Sequence, residues 1–436
     1  MTDGDRKFDV LIVGAGPGGC CAGIVAARGG LRVAMFERGE FSGNKIVMGN
    51  LIKTTILKDI IPDLEEKAPL GRFIRSRRYA CLSEETSVSI DITSRKYNEP
   101  PHNNLWTLTR KEFDPWLAGK AEEEGVKYFN KTPVESLIKK DSQVIGVKTG
   151  KGDFFADITI IAAGANSKLV RQMGEHIEYP PDSYILGIKE VIKFPPETIN
   201  ERFGLTGREG CAIDYYGYPI EGNVGSAFIY TNQDSLSVGA VFNAGSLKGA
   251  VRNAPIKHLQ LLKIHPAVKR LIQGGKTIAL SAHIVPEIGF DYLRSLYCDG
   301  ALVVGDAAGF LNANMYPLGM LMATASGKFA AETAIEAKKT GNYSSKTLSL
   351  YMEKIDYSFF LNDMRKYNRS PYFSNHYPEF FKIYPEMAIE LMENYHLNDE
   401  ESARYKQQNL FRKIRDELTI FPFLRELLES KRKFRF

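Results

Sequence analysis

The sequence predicts an α/β protein. A parallel-sheet domain is interrupted by an antiparallel-sheet domain and followed by a helical C-terminal region. Three observations carry this. A buried-strand run, Phe8–Val13 (FDVLIV), leads straight into a glycine-rich turn and a small-residue helix. After the second strand at Leu31–Phe36, further parallel-type runs appear only at Ile158–Ala163 and Ala301–Val304. Between about Pro180 and Ile288, aromatic and β-branched runs alternate with Gly and Asn turns, as in an antiparallel sheet.

The chain has 436 residues, room for two to three domains and a sizeable core. Hydrophobic residues make up 44% and charged residues 25%, which excludes disordered and collagen-like classes. The net charge of +5 is too small to mark a nucleic-acid-binding protein. Five cysteines, Cys20, Cys21, Cys81, Cys211 and Cys298, show neither disulfide-framework nor zinc-site spacing, and fit a reducing, cytoplasmic setting. Met1–Lys7 is too short and polar to read as a signal peptide. The apolar stretch Phe8–Ala27 is broken by glycines and Pro17, so it reads as strand, turn and helix, not as a membrane span.

The first βαβ unit runs from Phe8–Val13 through a helix at Cys20–Arg28 to a strand at Leu31–Phe36. Its turn is Gly14-Ala15-Gly16-Pro17-Gly18-Gly19. Gly14 permits the tight turn, Gly16 lets backbone approach a pyrophosphate, and Gly19 lets helix and strand pack closely. The helix N-terminus then offers unpaired N–H groups to phosphate. Glu37 follows at the end of the next strand, 18 residues past Gly19, where a carboxylate can accept ribose hydroxyls. The strand and helix context makes a plain glycine turn the weaker reading.

A helix is expected at Phe113–Glu124, with Arg110 just ahead of it. Arg110 is either a pyrophosphate contact or a surface arginine. Short strands follow at Thr132–Ile138, Gln143–Thr149 and Phe154–Ala156. In the antiparallel region, Ala212–Tyr218, Ser226–Thr231 and Leu236–Phe242 read as strands. A period of two puts Tyr216 and Tyr218 on one face, as a pocket wall or as ordinary sheet packing. After Ala301–Val304 comes Gly305-Asp306-Ala307-Ala308-Gly309, where Asp306 can meet a ribityl hydroxyl or simply cap a turn. Pro317-Leu318-Gly319-Met320 opens a small-residue helix running to about Lys338. Its positive end can face a flavin. Tyr316, beside it, reads as a pocket wall. The segmentation is therefore 1–72, 102–178 and 292–342 for the discontinuous nucleotide domain, 73–101 and 179–291 for the inserted sheet domain, and 343–436 for the helical region.

These features together resemble a flavoprotein of the glutathione-reductase superfamily, with an FAD-binding Rossmann-like domain. More narrowly, the chain is similar to the electron-transfer flavoprotein:quinone oxidoreductase family in its FixC branch. That likeness rests on Glu37-Arg38-Gly39 with Gly43-Asn44-Lys45-x-Val47-Met48-Gly49, on Phe228–Ser235, on Pro286-Glu287, and on Ser370–Phe373 with Tyr384-Pro385. Geranylgeranyl reductases share part of it. The resemblance implies an FAD-dependent oxidoreductase, with Arg38, Lys45, Gly49, Val134 and Gly164 joining the cofactor site. It implies electrons received from an electron-transfer flavoprotein and passed through a ferredoxin-like iron–sulfur subunit toward a quinone. The quinone oxidoreductases ligate their own cluster near the C-terminus. Here no cysteine follows Cys298, as in the FixC branch, where a separate subunit supplies it.

Other readings stand beside this one. A reductase of a small hydrophobic or prenyl substrate would use Tyr216, Tyr218 and Tyr316 around its tail. A flavin monooxygenase is disfavoured by Ala163, where relatives usually carry Asp. Flavin halogenases carry a Trp-x-Trp motif, which Trp106 and Trp116 do not form. No second Gly-x-Gly-x-x-Gly unit offers a Rossmann site for NAD(P)H. His102, His265 and His283 read as structural or surface residues, and Cys20 and Cys21 as helix packing. The final 36 residues hold ten basic and five acidic side chains among recurring Leu and Phe. Such a tail can lie peripherally on the inner membrane face, dock an acidic ferredoxin-like subunit, or cap its own domain.

Overall fold

A computed structural model describes residues 6–44, 51–165, 167–174, 183–246, 254–288, 290, 293, 296–311, 319–366 and 379–420. In chain order the strands are β1 Lys7–Val13, β2 Val33–Phe36, β3 Leu51–Lys53, β4 Leu70–Leu82, β5 Ser87–Thr93, β6 Leu105–Leu108, β7 Lys127–Phe129, β8 Val134–Lys140 and β9 Gln143–Thr149. They continue with β10 Gly152–Ile161, β11 Tyr184–Lys193, β12 Glu209–Gly217, β13 Gly225–Thr231, β14 Ser235–Asn243, β15 Lys276–Pro286, β16 Tyr297–Cys298 and β17 Ala301–Val303. Among the described residues they form an eight-stranded and a nine-stranded sheet.

The first sheet has the order β16-β17-β10-β1-β2-β7, with β8 and β9 attached through β10. Strands β1, β2, β7, β10 and β17 run parallel, because helices separate them in the chain. Val10, Leu11, Ile12 and Val13 are all buried, as befits a central strand covered on both faces. The helix Pro17–Arg28 covers one face and packs along the helix Gly319–Thr340. Small residues set that distance: a Cβ on Gly327 would lie 2.1 Å from the Gly18 carbonyl oxygen. Cys20 and Cys21 are wholly buried here, and the Cys20 thiol donates to the Ala15 carbonyl at 3.1 Å. Burial pushes both thiols up, so they pack as small apolar groups.

Residues 154–156 and 158–161 belong to one strand, not to the two that their composition suggested. The first half of β10 pairs antiparallel with β9, and its second half pairs parallel with β1 and β17.

The second sheet has the order β15-β11-β14-β13-β12-β4-β6-β3, with β5 on β4. Its outer face carries Ile188, Ile213, Ile229, Val238 and Phe242 against the helices Ala254–Ile264 and Pro266–Ile272. Its inner face turns toward the first sheet. The strands β3 and β6, expected inside the nucleotide domain, hydrogen-bond into this second sheet. The expected boundary at residue 72 likewise falls inside β4. Their side chains explain the difference: Ile52, Trp106 and Leu108 are buried in the first core while their backbones extend the second sheet. The two sheets thus share a seam there.

The remaining described chain is helical, ending in Glu379–His396 and Ala403–Ile420. The first of these packs on β4, β5 and β12. No helix among the described residues is long and apolar enough to cross a membrane.

Candidate functional site: a dinucleotide cavity between the sheets

The carboxyl ends of β1, β2, β10 and β17 open onto a cavity of about 560 Å³, roofed by the inner face of the second sheet. Ligands bind at this end of parallel α/β sheets, where helix N-termini and loops converge. Gly14, Gly16, Pro17, Gly18, Glu37, Arg38, Arg110, Val134, Gly164, Gly305, Asp306, Gly319 and Met320 all border it. Segments far apart in sequence are therefore brought together as the motifs anticipated. Ala15 and Gly19 do not border the cavity. Lys45, Gly49, Tyr316 and Pro317 lie outside the described residues.

The glycine turn divides its labour. Gly14 has φ of +105°, and a Cβ there would meet the Ala162 carbonyl oxygen at 2.3 Å. A Cβ on Gly19 would lie 1.9 Å from the Gly14 carbonyl oxygen, so that glycine serves the turn itself. Gly16 differs: a Cβ there meets nothing within 4 Å, although the residue faces the cavity. Gly16 caps the helix Pro17–Arg28 in extended conformation, with no side chain satisfying the first N–H groups. The arrangement is an open cradle of unpaired donors at the positive end of a helix, suited to a diphosphate.

Glu37 stands where β2 leaves the sheet. One carboxylate oxygen accepts from the Gly39 N–H at 2.6 Å and the other from the Ala15 N–H at 3.3 Å. This ties the acidic residue to the glycine turn and fixes where it can meet hydroxyl groups.

Arg110 is not a surface residue. It opens the helix Arg110–Glu123, is 9% exposed, and donates through Nε and Nη2 to the two Asp114 oxygens at 2.6 Å each. Burial works against its charge, but Asp114 outweighs that and holds the guanidinium protonated. Gly43 closes over the pair, where a Cβ would lie 2.8 Å from both the Arg110 carbonyl oxygen and the Asp114 Cβ.

Asp306 follows β17 in a short turn whose Gly305 N–H donates to Ser326 Oγ at 3.0 Å. Burial pushes its carboxyl up, while His283 and Arg110 pull it down. The helix Gly319–Thr340 starts alongside, a Cβ on Gly319 lying 3.8 Å from the Asp306 carboxylate.

The second sheet contributes Ile185 and Gly187 from β11, Val241 from β14, and His283 and Val285 from β15. His283 read as structural from sequence, yet it borders the cavity. Burial holds its ring below the ordinary imidazole range, with Asp306 opposing and Arg110 and Arg38 adding to the depression. Period-two alternation along β15 was the available signal, but it does not show which face meets the nucleotide domain.

Tyr216 sits on this inner face but beyond the cavity. Val241 pairs with Ser226, and the register Tyr215–Ala227 carries Tyr216 beside Ser226. Two strand spacings, about 10 Å, separate Tyr216 from Val241. Tyr218 does not share its face. Gly217, with φ of +92°, ends β12, and Tyr218 enters a 3₁₀ turn that packs on the second core. The alternation on which the expected pairing relied stops one residue too early.

The chemistry of this cavity fits FAD: uncapped helix N–H groups for a diphosphate, a fixed carboxylate for a ribose, and an enclosed carboxyl beside a second helix start. Similarity to known proteins agrees. Two models described as FAD dependent oxidoreductase match residues 103–333 and 9–178, and the ETF-QO/FixC family C-terminal domain matches residues 370–434. The chain is 38% identical over 389 residues to the probable electron transfer flavoprotein-quinone oxidoreductase YdiS of Escherichia coli K12, covering 89% of this chain and 90% of that protein. It is 37% identical to FixC of Escherichia coli K12, covering 88% and 89%. Among solved structures, a geranylgeranyl bacteriochlorophyll reductase-like protein from Thermoplasma acidophilum superposes with a TM-score of 0.73 at 20% identity, covering 98% of this chain and 99% of that one. The flavin-dependent brominase Bmp2 gives 0.64 at 18%, covering 94% and 100%. At such identities those two establish the fold alone. On its sequence relatives and its C-terminal domain, the chain belongs to the ETF-QO/FixC family of FAD-dependent oxidoreductases.

Proposed function

We propose that this protein relays electrons from an electron-transfer flavoprotein, through a ferredoxin-like iron–sulfur subunit, toward a quinone. The single observation that carries this reading is the likeness over about nine-tenths of both chains to a probable electron transfer flavoprotein-quinone oxidoreductase. In the sequence all five cysteines lie at or before Cys298, which supports the reading that a separate subunit carries the cluster.

FAD, when bound, supplies a couple that accepts and releases electrons singly or in pairs. The chain's own residues would hold it. The N–H groups after Gly16 and the Arg110 cation would bind the diphosphate. Glu37 would take ribose hydroxyls, and Asp306 a ribityl hydroxyl. The helix starting at Gly319 would lend its positive end to the flavin. The inner face of the second sheet would exclude water from the site. Electron transfer of this kind needs no nucleophile and no paired acid and base at the substrate. That suits a cavity whose second-sheet wall is mostly apolar.

The test is reconstitution. The FAD-loaded protein, an electron-transfer flavoprotein, a ferredoxin-like subunit and a short-chain quinone should together reduce the quinone. Omitting either partner protein should stop turnover. Quinone reduction at full rate without the iron–sulfur subunit would overturn the relay order.

A further inference from the structure

Strand β15 closes one end of the second sheet. It pairs with β11 on one side, and no strand among the described residues pairs with its other edge. Its two faces have different neighbours. His283 and Val285 border the cavity. Leu280 and Ala282 stand on the outer face, opposite Glu190 and Ile188 of β11. Leu280 is 54% exposed, as is Ile278 where the register shifts, and Ile264 at the end of the helix Ala254–Ile264 is 62% exposed. Glu190 draws these elements together, accepting from Lys263 Nζ at 2.6 Å and from Thr277 Oγ1.

Native proteins commonly guard a sheet edge with charge. From Thr277 to Pro286 this edge has no Lys, Arg, Asp or Glu. The charge lies around it and has one sign. Residues 254–286 hold five basic side chains, Lys257, Lys263, Lys269, Arg270 and Lys276, and no acidic one. Lys257 and Lys263 are paired with Glu221 and Glu190. Lys269, Arg270 and Lys276 are exposed and form no ion pair among the described residues. An apolar, unpaired edge is thus bordered by unbalanced positive charge, as a protein-binding face is.

We propose that this edge docks the ferredoxin-like iron–sulfur subunit, through an acidic face and a strand added to β15. The inference rests on the relay proposed above for the partner's identity and adds where that partner binds. Positive charge attracts an acidic protein and orients its approach. Unpaired strand backbone beside exposed Leu and Ile suits a subunit that stays bound, whereas a carrier that leaves at each turnover uses a smaller, more polar contact. Position adds to this. An added strand would lie about 4.8 Å beyond β15 and continue the sheet that roofs the cavity. A cluster held there would stand beside the flavin site. Single electrons would pass between cluster and flavin, one oxidised as the other is reduced, with no bond made or broken.

The test is binding of the ferredoxin-like subunit to the FAD-loaded protein, followed by surface plasmon resonance over a range of salt concentrations. The wild type should bind, less tightly as salt rises. The triple variant Lys269→Glu, Arg270→Glu, Lys276→Glu should weaken binding about tenfold or more, chiefly by slowing association. The double variant Ile264→Asn, Leu280→Asn should lose about tenfold or more, chiefly by speeding dissociation. Bound FAD and melting temperature should match the wild type, because these side chains are exposed. Amides of β15 should gain hydrogen-exchange protection in the complex. If the double variant melts early, the triple variant and the exchange measurement decide. Wild-type affinity in the variants, with no new protection along β15, overturns the docking site and leaves the relay reading standing. A wild type that does not bind the subunit overturns both. If the variants lose the electron-transfer flavoprotein but keep the iron–sulfur subunit, or split a wild-type dimer, the edge belongs to another occupant and the assignment falls.

Discussion

Arg110 and Asp114, one helical turn apart, form a bidentate pair with both contacts at 2.6 Å, and Asp114 is 1% exposed. Asp114 neutralises a cation that the cavity wall would otherwise hold unbalanced. Asp114→Ala should therefore destabilise the protein by about 3–5 kcal/mol, the usual cost of stranding a buried charge. Thermal unfolding checks this, and Arg110→Met should recover part of the loss in an Asp114→Ala background while leaving FAD binding weak.

Gly16 and Gly19 should fail in different ways. Gly16→Val has open space for its side chain, so it should fold normally and lose FAD. Gly19→Ala forces a Cβ to within 1.9 Å of the Gly14 carbonyl oxygen. It should destabilise the fold by about 3 kcal/mol or more, at or beyond the upper end of overpacking costs. Flavin absorbance and melting temperature of the two variants separate the roles. A stable Gly19→Ala protein or a yellow Gly16→Val protein contradicts them.

Asp306→Ala removes a carboxyl from the cavity wall. With about 1.5–3 kcal/mol for a hydrogen bond to a charged group, FAD affinity should fall about tenfold to a hundredfold. Fluorescence titration of the apoprotein with FAD measures it, and an unchanged dissociation constant would remove Asp306 from the site.

Glu287, whose backbone N–H donates to the Ser183 carbonyl at 2.7 Å, has its carboxyl pushed up by burial to about 8. The folded protein keeps that proton while the unfolded chain releases it above the ordinary value of 4.5. Stability contributed here is therefore full below pH 4.5 and declines as pH rises toward about 8. Glu287→Gln should flatten this part of the stability profile, measured by denaturant unfolding from about pH 5 to 8.

The nucleotide half of the site was legible because backbone geometry dictated its residues. A tight turn, a close approach to phosphate and a helix start each require glycine, and Glu37 must follow at a set distance. Asp306 was legible for the same reason, through its Gly305–Gly309 turn. The sheet's contribution was not. Both faces of β11 are buried, so Gly187 stands inside an apolar run whose two sides look alike. The alternation that distinguishes them acquires meaning only when the opposing domain is in place. Tyr218 was misassigned because the positive φ of Gly217 ends the strand one residue early. β10 was split because Asp157 interrupts an apolar run whose backbone continues unbroken while its partners change.

The most direct test of the electron-relay account is anaerobic stopped-flow mixing of the oxidised, FAD-loaded protein with NADH, with NADPH and with reduced electron-transfer flavoprotein. Rapid bleaching of the flavin by the flavoprotein alone is the predicted result. Rapid bleaching by a pyridine nucleotide, with no response to the flavoprotein, would contradict the account and mark the protein as a reductase of a small substrate.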